Sequence, residues 1–99
     1  MFITITSSKP GADQFDQVEA FLAQFLPRLE KQPGVVAIYH YARPKQNDDT
    51  TIIVWENQEA VNAYRQSALA QEAMAFEKKH NTPTTREGYP LKYATRPKA

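Results

Sequence analysis

The alternation of hydrophobic and polar positions divides the chain into strand, helix, strand, strand, helix and strand. Thr50 to Glu56, the third strand, is the densest run of β-branched residues in the chain. Both of its faces are mostly apolar, with Ile53 and Trp55 on one side and Ile52 and Val54 on the other. This pattern predicts a strand that is covered on both sides.

The other strands are predicted from the same alternation, in which every second side chain lies on the same face. The first is Phe2 to Thr6, and the second, Val35 to Arg43, leads through a polar hairpin loop at Pro44 to Asp49. One face of the second strand carries Val35, Ala37, Tyr39, Tyr41 and Arg43, and the other carries Val36, Ile38, His40 and Ala42. The fourth strand is predicted at Tyr89 to Thr95. It should lie at a sheet edge, because Pro90 cannot donate to a ladder.

Two helical regions follow a period of three to four residues. The first is predicted from Asp13 to Lys31, with Asp13 as its N-cap and a kink near Pro27, which removes one backbone donor. The second begins after Asn57, a good N-cap residue. Its apolar stripe then shifts by one position, which predicts a break with Ser67 capping a second segment.

This element order predicts an α+β, ferredoxin-like βαββαβ domain. Its four-stranded antiparallel sheet would carry both helices on one face and have the first and third strands at its centre. The opposite face would expose a larger apolar patch than monomers usually show. We therefore expect a two-fold homodimer formed through sheet faces or strand edges.

Composition narrows the function classes. Ninety-nine residues predict one domain, 1–99, with an ordered core of about 2–95 and a tail at 96–99. A net charge of +1 argues against a nucleic-acid partner. Cysteine is absent, which excludes disulfides and cysteine zinc sites, and no apolar run is long enough to span a membrane. A cytoplasmic protein with no membrane partner is expected.

Two stretches resemble the antibiotic biosynthesis monooxygenase-like group of the dimeric α+β-barrel proteins. "FLPRLEKQPGVVAIYHY" is a helix with a late proline that runs through Pro-Gly into a tyrosine-rich strand. "TIIVWENQEAVNAYRQSALAQEAM" is a Val-Trp strand end followed by a broken helix. The resembling region extends from Asp13 to about Phe76 and indicates the fold, not the reaction.

The resemblance implies a homodimer whose sheets form a barrel, with a small-molecule cavity between the sheet and helices of each subunit. Some members oxidise phenols or quinols with molecular oxygen and without metal or flavin, so no cofactor is expected. Others cleave heme, isomerise substrates or only bind them. A small apolar or aromatic molecule is the expected ligand.

The functional positions of two branches are replaced here. The heme-cleaving branch has an Asn, a Trp and a His where this chain has Thr4, Tyr64 and Met74, so an iron-ligating histidine is not expected. Quinol-oxidising members often carry histidines at positions that match Ala60, Tyr64 and Leu69. Because these histidines are replaced, the sequence does not identify the residue that would act as the general base.

Candidate site residues follow from what a cofactor-free oxygenase needs: an apolar cavity, a proton acceptor and donors for the substrate anion. A tyrosine is a poor base at neutral pH but a good donor. The catalytic candidates are Tyr64, Tyr39 and His40. The candidates for substrate binding are Trp55, Tyr41, Arg43, Met74 and Thr4. Which face of the second strand lines the cavity is left open, because Tyr39 and His40 have opposite parity.

No metal site is predicted. His40 and His80 lack the spacing of a ligand pair, and Asp48-Asp49 lacks the pattern of a calcium loop. Two functions remain open. One is a cofactor-independent monooxygenase acting on a small phenolic or quinol-type compound. The other is a non-catalytic binding or assembly module with the same fold.

Overall fold

The computed structural model of the protein describes residues 1–95, and the predicted tail lies outside this range. Four strands and three helices alternate along the chain. Their bounds are β1 (Phe2–Ser8), α1 (Phe15–Leu29), β2 (Val35–Arg43), β3 (Asp48–Trp55), α2 (Gln58–Arg65), α3 (Ala68–His80) and β4 (Thr84–Pro90). A short 3-10 turn, Pro44–Gln46, joins β2 to β3.

The strands form one antiparallel sheet in the order β2-β3-β1-β4. The predicted α+β, ferredoxin-like arrangement is confirmed, with β1 and β3 at the centre and β4 at an edge. β1 pairs Thr4 with Ile53, and β2 pairs His40 with Thr51. Because directly opposed residues share a face, these pairings determine which side chains lie under the helices.

The two caps in the second helical region occur where the sequence places them. The Asn57 side chain accepts a hydrogen bond from the backbone N–H of Ala60 at 2.9 Å. The Ser67 hydroxyl accepts one from Ala70 at 3.1 Å, so the break between α2 and α3 is a recapped helix start.

The predicted start of the first helix is wrong by two residues. The N-cap is Gln14, which makes no side-chain capping bond, and Asp13 lies in the preceding turn. That turn is closed by the Gln14 N–H donating to the carbonyl of Gly11 at 2.8 Å. Pro27 is inside α1, near its end, as predicted.

Two strand predictions also need correction. β3 begins at Asp48, so the loop predicted over Pro44 to Asp49 is shorter. β4 is Thr84–Pro90, not Tyr89 to Thr95, and Pro90 is its last residue. β4 was missed because six of its seven residues are exposed, and such a strand does not show apolar alternation.

Val35 was assigned to the wrong face. A β-bulge between Val35 and Ala37 inserts Val36 and changes the parity of the strand. Val35 consequently packs against the core cluster under the helices, while Ala37 and Tyr39 face the other way. The buried members of that cluster are Phe25, Leu29, Ile53, Trp55 and Val61.

The face of the sheet opposite the helices is named the open face below. Strand pairing places on it Ile3, Ile5, Ala37, Tyr39, Tyr41, Ile52, Val54 and Tyr89. Within residues 1–95, no helix is long and apolar enough to cross a membrane.

Candidate functional site

A cleft of about 400 Å³ lies between the helices and the sheet. Its walls come from the helix-facing side chains of β1, β3 and β4 and from the inner faces of the three helices. The cleft has an apolar end around Trp55 and a polar end around Asp49. These two residues lie at opposite ends of β3 and share its helix-facing parity.

The apolar end is built on Trp55, which is only 1% exposed. Its indole N–H donates to the Thr4 hydroxyl at 2.9 Å, so the buried nitrogen has its partner. The Trp55 and Tyr64 rings lie 5.4 Å apart at 40°. Further apolar lining comes from α1, where Phe21 stacks on Phe76 of α3 at 4.2 Å.

Tyr64 places a phenol in the wall of the cleft. Burial raises its pKa above the ordinary 10.0, since the ionised form would lose hydration, while Arg86 opposes this change. Within residues 1–95, no group hydrogen-bonds its hydroxyl. Tyr64 is therefore protonated at neutral pH and available as a donor to a ligand oxygen.

The polar end contains three titratable groups from three elements: Glu19 of α1, His40 of β2 and Asp49 of β3. His40 Nε2 lies 3.3 Å from Asp49 Oδ2 and 3.5 Å from Glu19 Oε2. Ala42, two residues after His40, pairs with Asp49, so the imidazole and the carboxylate are diagonal neighbours on the helix-facing side. We call these three residues the carboxylate–histidine cluster.

The contacts within the cluster shift the pKa values of His40 and Glu19. The pKa of His40 is raised, chiefly by its contact with Asp49 and further by the charge of Glu19, against the opposing effect of burial. The pKa of Glu19 is also raised, chiefly by Asp49 and by burial, while His40 lowers it. The Glu19 carboxyl and the His40 imidazole thus retain their protons above their ordinary pKa values.

Comparison with known protein families shows which family the chain resembles over most of its length. The family model described as "Antibiotic biosynthesis monooxygenase" matches residues 1–75, which include β1 to α2 and the first part of α3.

The chain belongs to the antibiotic biosynthesis monooxygenase family.

Solved structures agree on the fold. A candidate antibiotic biosynthesis monooxygenase from Deinococcus radiodurans aligns over 100% of both chains with a TM-score of 0.88 and 14% identity. A protein of unknown function from Nitrosomonas europaea aligns over 99% of this chain and 95% of its own, with a TM-score of 0.84 and 18% identity.

A third structure, from Mycobacterium tuberculosis, covers 95% of this chain and 98% of its own, with a TM-score of 0.83 and 16% identity. Identities this low support a shared fold and not a shared substrate. No curated protein sequence matches the chain.

The sequence-derived candidates in this family member divide between the two sides of the sheet. Thr4, Trp55, Tyr64 and Met74 line the cleft, and Met74 is 59% exposed. His40 lies behind the lining residues Asp49 and Thr51.

The remaining candidates, Tyr39, Tyr41 and Arg43, lie on the side of the sheet away from the helices. There Arg43 forms a two-point ion pair with Asp48. The cleft and this group of side chains are therefore separated by the sheet.

Asp49 and Glu19 are functional candidates that sequence reasoning missed. The sequence pattern predicts Asp49 in a loop, and it places Glu19 within the first helix without marking it as a site residue. The available signal was parity: extending β3 back by two residues puts Asp49 on the side of Thr51, Ile53 and Trp55. The contact with His40 additionally requires the β2–β3 register.

Proposed function

We propose that this member of the antibiotic biosynthesis monooxygenase family binds a small, mainly apolar aromatic molecule with an ionisable hydroxyl and oxidises it with molecular oxygen. The observation that carries the proposal is the polarity of the cleft. Aromatic and aliphatic side chains line one end, and a buried carboxylate, Asp49, lines the other. This division suits a flat phenol or quinol with its hydroxyl directed toward β3's first residues.

The polar groups have separate roles in this proposal. Asp49 accepts the hydroxyl proton of the substrate, with His40 directly behind it at 3.3 Å. Tyr64 donates to a substrate oxygen and stabilises the anion. The electron-rich anion then reacts with oxygen. One oxygen atom enters the product as a carbonyl and the other leaves as water with two substrate hydrogens, so no outside reductant is required.

The proposed active assembly is a homodimer. The open face presents aliphatic residues of the two central strands between tyrosines of the outer strands, with Tyr39 57% exposed and Tyr89 49% exposed. A second copy would cover this surface, and about 800 Å² buried per partner is typical of a specific interface. The helix-side cleft of each subunit stays accessible in such a dimer.

Oxygen uptake with a panel of quinols and enolisable phenols tests the catalytic proposal. We expect Asp49→Asn to lower kcat/KM by about 10²-fold or more, as loss of a general base does. Tyr64→Phe should lower kcat by about 10²-fold, as loss of a donor to an anion does. Asp48→Asn is the matched control, because it changes the neighbouring aspartate on the other side of the sheet.

Two results would contradict the oxidation. One is no uptake with any compound of the panel. The other is equal loss of activity in Asp48→Asn and Asp49→Asn. Binding of the same compounds without uptake would support the alternative function, a small-molecule-binding module, which the absence of histidine at Ala60, Tyr64 and Leu69 favours.

A further inference from the structure

The two carboxylates of the carboxylate–histidine cluster lie as far from the His40 imidazole as neighbouring ligands lie in a first coordination shell. Oxygen and nitrogen ligands lie about 2.0–2.2 Å from a zinc-class cation, so neighbouring ligands are about 2.8–3.6 Å apart. His40 Nε2 is 3.3 Å from Asp49 Oδ2 and 3.5 Å from Glu19 Oε2. One ligand atom from each residue lies within 4.8 Å of both others.

The imidazole is oriented for this use. His40 Nδ1 lies 3.0 Å from the Thr51 hydroxyl, which can accept its N–H. In that tautomer Nε2 carries a lone pair directed at two carboxylates, an arrangement that either a proton on Nε2 or a bound cation stabilises. Metal-bound histidines commonly show this outer hydrogen bond on the second ring nitrogen.

Three buried polar atoms of the cluster have no hydrogen-bond partner. Asp49 is only 3% exposed, yet its Oδ2 has no hydrogen-bond partner, and buried His40 Nε2 and Glu19 Oε1 lack one too. Buried polar atoms in folded proteins are normally paired, and an unpaired buried charge costs far more than an exposed one. The unpartnered Oδ2 and Nε2 face each other across the centre of the cluster.

We propose that Glu19, His40 and Asp49 bind one divalent transition-metal cation of the zinc class. Two carboxylates and a neutral imidazole carry a formal charge of −2, which one such cation neutralises. An imidazole ligand favours zinc or cobalt over magnesium or calcium, which prefer all-oxygen shells. Three protein ligands leave a coordination position open, as in catalytic rather than structural zinc sites.

This inference does not rest on the proposed oxidation. It uses residues of the same polar end, so a bound cation would occupy Asp49 and His40 and prevent them from accepting a substrate proton. If both proposals are right, zinc lowers oxygen uptake by the loaded protein. If only the metal proposal is right, zinc binding is observed in a protein that shows no oxygen uptake.

Calorimetric titration of Zn²⁺ into the full, tag-free protein tests the site, with Co²⁺ visible absorption as a second readout. We expect one zinc per chain and a Co²⁺ spectrum with nitrogen and oxygen ligation. Glu19→Gln, at a half-exposed position that should not disturb folding, is expected to raise the zinc Kd by at least about 10-fold. Thr51→Val, which removes only the outer hydrogen bond, should raise it by about 10-fold.

The second histidine provides the matched control. His80 lies at the end of α3 against Phe76, away from the cluster, so His80→Gln should leave the zinc Kd unchanged while His40→Gln abolishes binding. Mg²⁺ at the same concentration should give no heat. Absence of zinc binding to the wild type, or a zinc Kd that Glu19→Gln leaves unchanged, would overturn the proposal.

Discussion

The two faces of the sheet reverse the usual distribution of polar and apolar side chains. On the helix-covered face, the central strands carry Thr4, Thr6, Asp49 and Thr51 beside the apolar Ile53 and Trp55. On the open face, the same strands present Ile3, Ile5, Ile52 and Val54. Polar groups therefore lie inside the subunit, while the open face has an aliphatic centre with Ser7, Asp48 and Thr50 at one end.

This difference would allow one small domain to contain both the proposed site and the proposed dimer interface. Under the helices, Asp49 and Thr51 give the cleft a polar end, while Ile53 and Trp55 keep its other end apolar. Aliphatic side chains on the open face favour a second copy. Asp48 and Asp49 show the division at single-residue scale, since one is paired with Arg43 on the open side and the other contacts His40 beneath the helices.

Truncation of a buried aromatic side chain should give the largest difference between the faces. Trp55→Ala is expected to lower the free energy of unfolding by about 3–5 kcal/mol, because it removes a 1%-exposed side chain and leaves a cavity. Tyr39→Ala, on the open face, should cost about 1 kcal/mol or less in the monomer. Urea unfolding of both variants in an Ile5→Lys background, in which the dimer should not form, measures this, and equal costs would contradict the distinction.

Gly34 tests how tightly the helices are held on the covered face. It has a φ of +87°, and a Cβ there would lie 2.4 Å from the Ala60 Cβ of α2. Gly34→Ala should therefore cost about 1–3 kcal/mol of unfolding free energy. Gly11→Ala is the control, since its Cβ would meet only the movable carboxylate of Asp13. Adding Ala60→Gly to Gly34→Ala should recover only the part of the lost unfolding free energy that is due to the contact with the Ala60 Cβ.

Acid unfolding tests the ion pair between Arg43 and Asp48 on the open face. Arg43 lowers the pKa of Asp48 below its ordinary 3.8, with burial acting in the opposite direction. A lowered folded-state pKa gives stability that is present above the unfolded value and lost as the pH falls through the folded value. Asp48→Asn should be less stable than wild type near neutral pH, and the gap should close in acid. A constant gap would show that the ion pair does not contribute.

The smallest expected effect is at Tyr64. Because its hydroxyl has no partner within residues 1–95, Tyr64→Phe should change the unfolding free energy by less than about 1 kcal/mol. The ultraviolet titration difference between wild type and Tyr64→Phe should show a phenol that ionises above the ordinary 10.0, since burial raises its pKa. Ionisation at or below that value would place the ring in water.

The sequence predicted elements well where a local cause determines them. The caps Asn57 and Ser67 and the apolar run around Trp55 act over three or four residues, and all three are found in the structure. β4 was misplaced because pairing with β1, and not its own apolar pattern, holds it in the sheet.

The candidate site was less predictable because it depends on register. His40 and Asp49 meet only in the register in which β2 and β3 pair, and Glu19, 21 residues before His40, joins them only because α1 packs over that end of the sheet. The bulge at Val36 also cannot be predicted from the alternation of apolar and polar residues, and it determines the face on which Val35 lies. Trp55 and Tyr64 could be predicted from the sequence. The alternation of β3 directs Trp55 inward, and the apolar stripe of α2 directs Tyr64 inward.

Sedimentation equilibrium at micromolar concentration tests the reversed polarity of the two faces most directly. The account predicts a species of about twice the 11.3 kDa chain mass. Ile5→Lys on the open face should shift it to the monomer, whereas Thr6→Val beneath the helices should leave the dimer intact. A wild type that sediments as a single 11.3 kDa species would contradict the account.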